Sequence, residues 1–515
     1  MTKATRKKAA SAPSTTLPVY APAGAMVCAP ARTPRRWLVP ALRALLLNAV
    51  LLTPVQDAAF HSAQAQSRQD SPVLIRDTEI ENLMRDYTAP ILSAAGLGRQ
   101  NVEVVLIQDP SFNAFVADGR RIFVNTGALM GSETPNQIIG VLAHEAGHIA
   151  GGHLARMREQ IAGAQTMAVV AMMLAGAGVA AGAASGMDGR NLGQAAAAGM
   201  TLPQDMIHRS LLSYKRSEEQ AADRAAVRYL DATGQSAKGM LETFQRFQRD
   251  QFFVSQRIDP YMLSHPLAHE RISALETQAK ASPNFYRKDS PSLQAQHDLM
   301  RAKLVGFTQR PDMVARKYPS SDGSLAADYA RAISAYRHSD MNSALRRIDA
   351  LIARAPDNPY FYELKGQALL EGGRPAQAVA PLRKAVEMTG DAPLIRSMLG
   401  QALVGSGGGG RNKGAGKNSG AATQDAIYEL IKATVREPDS PSAWRQLAIA
   451  YGRRGDKPNA DLAAANAALA SGEFETARHL AARARGGFPT GSPGWLKADD
   501  ILKLEPPKPK ASARR

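Results

Sequence analysis

Cysteine is all but absent, with Cys28 alone among 515 residues. One thiol cannot pair within the chain, which excludes an internal disulfide scaffold. Aromatic residues make up only 6%. They nowhere interleave with basic residues into a stripe, so the formal charge of +17 does not read as nucleic-acid recognition. Comfortable membrane spans are also missing: the apolar run Trp37 to Leu52 is broken by Pro40, Arg43 and Asn48 and is too short. The Gly-rich tract around 405–422 is no phosphate loop, because Asn418 follows Lys417 where Ser or Thr is required and Arg411 stands where the first Gly belongs. What is present is 44% hydrophobic content over a length sufficient for two to four domains with their own cores, which excludes wholesale disorder.

The first 65 residues read as a leader. Lys3, Arg6, Lys7 and Lys8, then Arg32, Arg35 and Arg36, precede the apolar run, and Ala63-Gln64-Ala65 supplies small residues at the −3 and −1 positions of a cut. These are the three parts of a secretory signal peptide. Met26 is the expected true start, because it gives a basic flank of ordinary length. Cleavage after Ala65 removes eight basic residues and one acid, leaves a net charge of about +10, and takes Cys28 away. A thiol-free exported chain avoids stray oxidation.

Residues 70–287 read as an α-rich unit with a small β element. Val102 to Gln108 and Arg121 to Val124 are β-branched and separated by the turn Ala117-Asp118-Gly119-Arg120, which suggests a hairpin or sheet edge. Thr134-Pro135-Asn136-Gln137 predicts a capping box with Pro at the first helical position. The apolar Ile138, Ile139, Val141, Leu142 and Ala143 behind it predict a buried helix. Residues 166–187 are uncharged and rich in Ala, Gly and Met. They fit a small-residue hairpin or loop near the site better than membrane contact.

After a linker at 288–325, the chain repeats. Leu364 to Leu370 returns 34 residues later as Met398 to Val404, and Pro359 as Pro393. That period is the tetratricopeptide unit, one helix pair per repeat. Pro441 comes 14 residues late, and the excess falls in the flexible Gly-rich insertion 405–422. Trp444, Leu447, Ala448, Tyr451 and Ala460 follow the repeat pattern, with Ala448 in place of Gly. The predicted array spans 326–485 as three to five helix pairs, with an α-solenoid fold, and 486–515 form a tail with a disordered end.

The chemistry lies in His144-Glu145-Ala146-Gly147-His148. Residues four apart share a helical face, so both imidazoles reach one metal while Glu145 stands beside the open position, the pattern of zinc hydrolases. A third ligand is needed. Position 154 is Leu, and His153 at helical pitch points away from His144. Glu219 is the better candidate, on an amphipathic helix marked by Leu211, Leu212, Ala222, Ala226, Val227 and Leu230. Asp223, one turn beyond, is placed to support a ligating imidazole. Glu218 is the alternative ligand.

HEAGH, then E-x-x-A-D, then Ser264-His265-Pro266 with Arg271-Ile272, resembles the HtpX and CAAX-prenyl-protease group of zinc metallopeptidases. Asn113-Ala114-Phe115 and Val124 to Gly127 match that group's segment before the zinc helix. The resemblance implies a mainly α, gluzincin-type fold with a substrate-side strand. It implies one Zn2+ per chain on His144, His148 and Glu219, with Glu145 as general base. His265 has three readings: oxyanion donor, fourth zinc ligand holding the enzyme latent, or structural residue beside a Pro turn. Arg271 either pairs with Asp223 or is a solvated helix charge.

With an export leader in front and repeats behind, the chain is similar to the periplasmic members of that group in Gram-negative bacteria. This implies outer-membrane protein quality control. Stalled envelope proteins are the implied substrates, and the β-barrel assembly machinery is the implied partner of the repeats. The rival reading is a repeat-based chaperone in which proteolysis is secondary. The remaining positive charge fits peripheral contact with an anionic membrane surface.

Overall fold

The β-branched stretches do form strands, though not as one hairpin. The computed structural model describes residues 73–163, 212–253, 261, 264–266, 268–390, 392–407 and 416–505. The leader, the stretch 166–187, Leu211 and the end of the tail lie outside them. Strands β1 (Leu74–Ile75), β2 (Glu103–Ile107), β3 (Ala114–Val116) and β4 (Arg121–Asn125) make one sheet in the order β1-β2-β4-β3. The turn at Asp118-Gly119 joins β3 to β4 antiparallel, while β2 runs parallel to β4, with Leu106 opposite Val124. The short strand Ala114–Val116 was the piece missing from the predicted hairpin, and it is an edge strand. Leu106, Ala114, Ile122 and Val124 turn into the core.

Helix α1 (Thr78–Ala94) begins at Asp77, whose carboxylate accepts from the Ile80 amide at 3.0 Å. Helix α2 (Thr126–Gly131) follows β4 directly, and α3 (Pro135–Ala150) carries the HEAGH motif. Pro135 is its first residue, as predicted, but the capping box does not form. Thr134 makes no side-chain cap, Gln137 Oε1 accepts from the Glu133 amide at 2.7 Å, and Asp289 Oδ2 accepts from the Asn136 amide at 3.0 Å. A carboxylate distant in sequence thus satisfies one free amide of the first turn, while the Gln137 amide, which the box assigns to the Thr134 side chain, is met by the Thr134 carbonyl at 3.2 Å. Nearly every residue of α3 is buried.

Helix α4 (153–163) follows the turn Gly151-Gly152, and α5 covers 212–232. Of the apolar residues expected on α5, Ala222, Ala226, Val227 and Leu230 are buried, whereas Leu212 is exposed near the first described turn. Two glycines let α3 lie close to its neighbours. A Cβ at Gly140 would fall 2.5 Å from Met240 Cβ on α6 (Lys238–Phe253), and one at Gly147 would fall 3.0 Å from the Ala222 carbonyl oxygen on α5. Helix α7 (His269–Ala281) closes this core.

The stretch read as a linker is instead structural. It folds into α8 (Pro291–Thr308) and α9 (Pro311–Lys317). Helix α8 gives Met300 and Leu304 to the first core, and Ala302 and Val305 to the first repeat core. The repeats follow as α10 (Leu325–His338), α11 (Met341–Arg354), α12 (Pro359–Glu371), α13 (Pro375–Thr389), α14 (Pro393–Ser406), α15 (Gly416–Arg436), α16 (Pro441–Arg454) and α17 (Lys457–Ala470). Then come α18 (Phe474–Gly487) and α19 (Pro493–Lys503), the latter inside the predicted tail.

The 34-residue equivalence has a packing cause. A Cβ on Gly366 would lie 2.3 Å from Leu382 Cγ, and one on Gly400 would lie 2.4 Å from Leu430 Cγ, so the same helix contact recurs across the insertion. Part of that insertion, from Gly416, is helical rather than loop. The fold is mainly α with one small sheet, as the sequence predicts. No described helix is long and apolar enough to cross a membrane.

Candidate metal centre

Helix α3 presents His144 and His148 on one face because four residues make slightly more than a turn. Their Nε2 atoms are 3.0 Å apart. Helix α5 brings Glu219, whose carboxylate oxygens lie 3.4 Å from His144 Nε2 and 3.6 Å from His148 Nε2. His265 Nδ1 completes the group, 3.1 and 3.2 Å from the two Glu219 oxygens and 3.4 Å from His144 Nε2. One donor atom from each of the four lies within 4.8 Å of the others. His144, Glu219 and His265 are buried and His148 is nearly so.

The donor set fits a metal ion. Two imidazoles and a carboxylate bring their donor atoms within reach of a single ion, and a buried group of this kind needs a cation or shared protons. Glu145, fully buried, has no hydrogen-bond partner for either carboxylate oxygen; its Oε1 is 3.4 Å from His265 Nε2. Burial raises the Glu145 carboxyl above its ordinary pKa, against the pull of His265 and His144. That is the direction a general base needs to work near neutral pH.

Charge around the donors is arranged in pairs. Burial would raise Glu219 and Asp223, but His265 and His144 hold Glu219 far below the carboxylate range, and Arg271 holds Asp223 down. Asp223 Oδ1 lies 2.9 Å from His144 Nδ1. Arg271 grips Asp223 through Nε at 2.5 Å and Nη2 at 2.9 Å, and reaches Glu219 Oε2 and the Pro266 carbonyl through Nη1 at 2.9 and 3.1 Å. Its guanidinium also lies 5.3 Å from the Phe244 ring centroid. The paired reading of Arg271 therefore holds over the solvated one. His265 is held by Tyr261, whose ring stacks on it at 4.7 Å and whose carbonyl accepts from its amide at 2.7 Å.

Glu218 faces away from the donors. Its Oε2 lies 2.7 Å from His153 Nε2 and 2.8 Å from Arg156 Nη2. His153, expected at helical pitch to point away from His144, is not among the four donors, yet its Nδ1 is 2.9 Å from His148 Nδ1. The Gly151-Gly152 turn, with Gly152 at φ 64°, breaks the helical pitch on which that expectation rested. The Gly-Gly pair before a histidine was the signal available in the sequence; Tyr261 offered none.

Beside the donors is a cavity of about 300 Å³, lined by Glu145, His148, Glu219 and His265 on one side and by Phe115 and Val116 of the edge strand β3 on the other. A buried carboxylate, a donor set that could hold a metal ion and a strand with no further strand paired to it among the described residues together fit one class: a metal-dependent peptide hydrolase.

Residues 75–279 match the model of Peptidase family M48, and residues 329–393 match a Tetratricopeptide repeat model. The chain thus carries an M48 metalloprotease domain followed by tetratricopeptide repeats. It is similar to the Beta-barrel assembly-enhancing protease of Yersinia pestis, at 23% identity over 85% of this chain and 85% of that one. The Escherichia coli (strain K12) protein of the same name is also 23% identical, over 83% of each chain. The Protease HtpX of Shewanella sp. (strain ANA-3) is 29% identical over 38% of this chain and 74% of that one.

Proposed function

We propose that the chain is a zinc endopeptidase acting in the periplasm on outer-membrane proteins that stall during assembly. The observation that carries the reading is Glu145, buried without a hydrogen-bond partner beside the His144, His148 and Glu219 donors. Zinc suits two imidazoles and one carboxylate, and when bound it supplies Lewis acidity and makes a water acidic enough to attack. Glu145 accepts the proton of the attacking water and returns it to the leaving amine. Asp223 fixes the His144 ring, and Arg271 neutralises the buried carboxylates of Asp223 and Glu219. A peptide lying along β3 brings its scissile bond into the cavity shared with Glu145, by strand addition to an open edge.

His265 acts as a fourth donor in the closed state, a reading supported by its Nδ1 lying close to the other three donors. Substrate entry then requires that the His265 segment give way. The repeats recruit the partner, and the resemblance to proteins named for enhancing β-barrel assembly supports the assembly machinery as that partner. Export by the N-terminal leader and peripheral contact with a membrane surface belong to the same reading.

The test compares Glu145→Gln with a chain ended before α10. Loss of cleavage of an unfolded β-barrel protein in the Gln variant, with metal content kept, is the expected result. If the Gln variant supports assembly as well as wild type and only the truncation fails, the chaperone reading replaces this one.

A further inference from the structure

Both imidazoles on α3 have a second ring nitrogen turned from the donor cluster, and the two nitrogens are met differently. His144 Nδ1 meets a carboxylate directly, Asp223. His148 Nδ1 meets another imidazole, His153, and behind it stands the carboxylate of Glu218. We infer that His153 is a positioning residue for the metal centre: it fixes the tautomer and ring orientation of His148, and Glu218 holds it there. The inference rests on the assignment of His148 as a ligand through Nε2.

The proton inventory permits one arrangement. A ligand imidazole that offers Nε2 to a cation carries its proton on Nδ1. That N–H donates to His153 Nδ1, which must then be the unprotonated nitrogen of its ring. His153 therefore carries its proton on Nε2 and donates it to Glu218 Oε2, 2.7 Å away. Arg156 Nη2, 2.8 Å from the same oxygen, keeps that carboxylate in place. Each contact fixes the next, so no member can flip alone. A carboxylate thus backs each α3 ligand, one directly and one through a relay, the kind of support that orients metal-bound histidines.

The backbone is built for this contact. A Cβ at position 151 would fall 2.1 Å from His153 Nε2, so only glycine lets the ring fold back beneath the end of α3. His153 is itself buried. A histidine serving only as the start of α4 would need neither.

The test is metal affinity by chelator competition, together with the absorption spectrum of the Co2+ form, on the full chain. His153→Phe keeps the ring volume but removes the acceptor, and is expected to weaken affinity by about tenfold to a hundredfold and to shift the Co2+ bands. His153→Asn places an oxygen where Nδ1 was and should recover most of the loss. Glu218→Gln, on the partly exposed side, gives a smaller loss and keeps the inference testable if the Phe variant does not fold. His148→Ala is the reference. Near-wild-type affinity in the Phe and Gln variants, with metal lost in His148→Ala, overturns the role of His153 alone. Full metal retention in His148→Ala overturns the ligand assignment and the inference with it.

Discussion

Lys303 Nζ lies 2.7 Å from Asp77 Oδ2, so a buried ammonium on α8 clasps the residue that caps α1. Glu79 Oε2 is 3.1 Å away and accepts from the Tyr329 hydroxyl of α10 at 3.0 Å. Glu363 of α12 stands 3.9 Å off. The peptidase and the repeats are thus joined by one buried charge cluster rather than by a flexible tether. Burial pushes Glu363 up to about 8, against the pull of Lys303.

Lys303→Met removes the ammonium at the centre of this cluster and leaves buried carboxylates unpaired. It should destabilise the chain by about 3–5 kcal/mol, read as a lower denaturant midpoint. Glu363→Gln keeps the shape of a carboxyl that burial pushes toward its neutral form and should cost under about 1 kcal/mol at pH 7. Equal effects from the two changes would refute this assignment of charge.

Arg271→Lys keeps the charge but not the fork. A lysine cannot hold both Asp223 oxygens, Glu219 and the Pro266 carbonyl together. Metal affinity should fall by about tenfold to a hundredfold, measured by chelator competition. Affinity within twofold of wild type would show that charge alone suffices there.

His297 predicts a stability change with pH. Its Nε2 donates to the Ser132 carbonyl and its Nδ1 accepts from the Tyr87 hydroxyl, each at 2.9 Å, and burial lowers its pKa to about 4. The folded pKa lies below the unfolded value near 6.5, so the contribution is present above pH 6.5 and is lost as pH falls toward 4. Between pH 7 and pH 5 wild type should lose about 2 kcal/mol more than His297→Gln. Parallel losses in urea titrations at the two pH values would contradict this.

How much of this was legible in the sequence follows from the range of the interactions. His144, Glu145 and His148 are set by helical pitch, and the pairing of Asp223 with Glu219 by one further turn, so local periodicity reached them. The repeats were legible because Gly366 and Gly400 repeat the same close contact. What escaped depends on residues far apart in sequence. Asp289 accepts from the Asn136 amide at the start of α3, Tyr261 stacks on His265, and α8 looked like a linker because its apolar residues are split between two cores. The contact of His153 with His148 escaped for a local reason, the turn at Gly151-Gly152.

The two helix glycines of α3 separate stability from metal binding. Glycine inside a helix costs roughly 1 kcal/mol relative to alanine, so Gly→Ala should stabilise wherever room exists. At Gly140 it does not, because the new Cβ would lie 2.5 Å from Met240 Cβ and 2.9 Å from its Cα. Overpacking of this kind costs about 1–3 kcal/mol, so Gly140→Ala should lower the melting temperature and leave metal affinity near wild type. At Gly147 the new Cβ would meet the Ala222 backbone at 3.0 and 3.1 Å, a misfit that α5 can relieve by moving a few tenths of an ångström. Ala222 lies between Glu219 and Asp223, so that movement carries both carboxylates away from His144. Gly147→Ala should therefore keep its melting temperature in the metal-free form and lose metal affinity. A variant that melts early yet binds metal normally would mean that α5 does not yield, and that Gly147 serves packing alone.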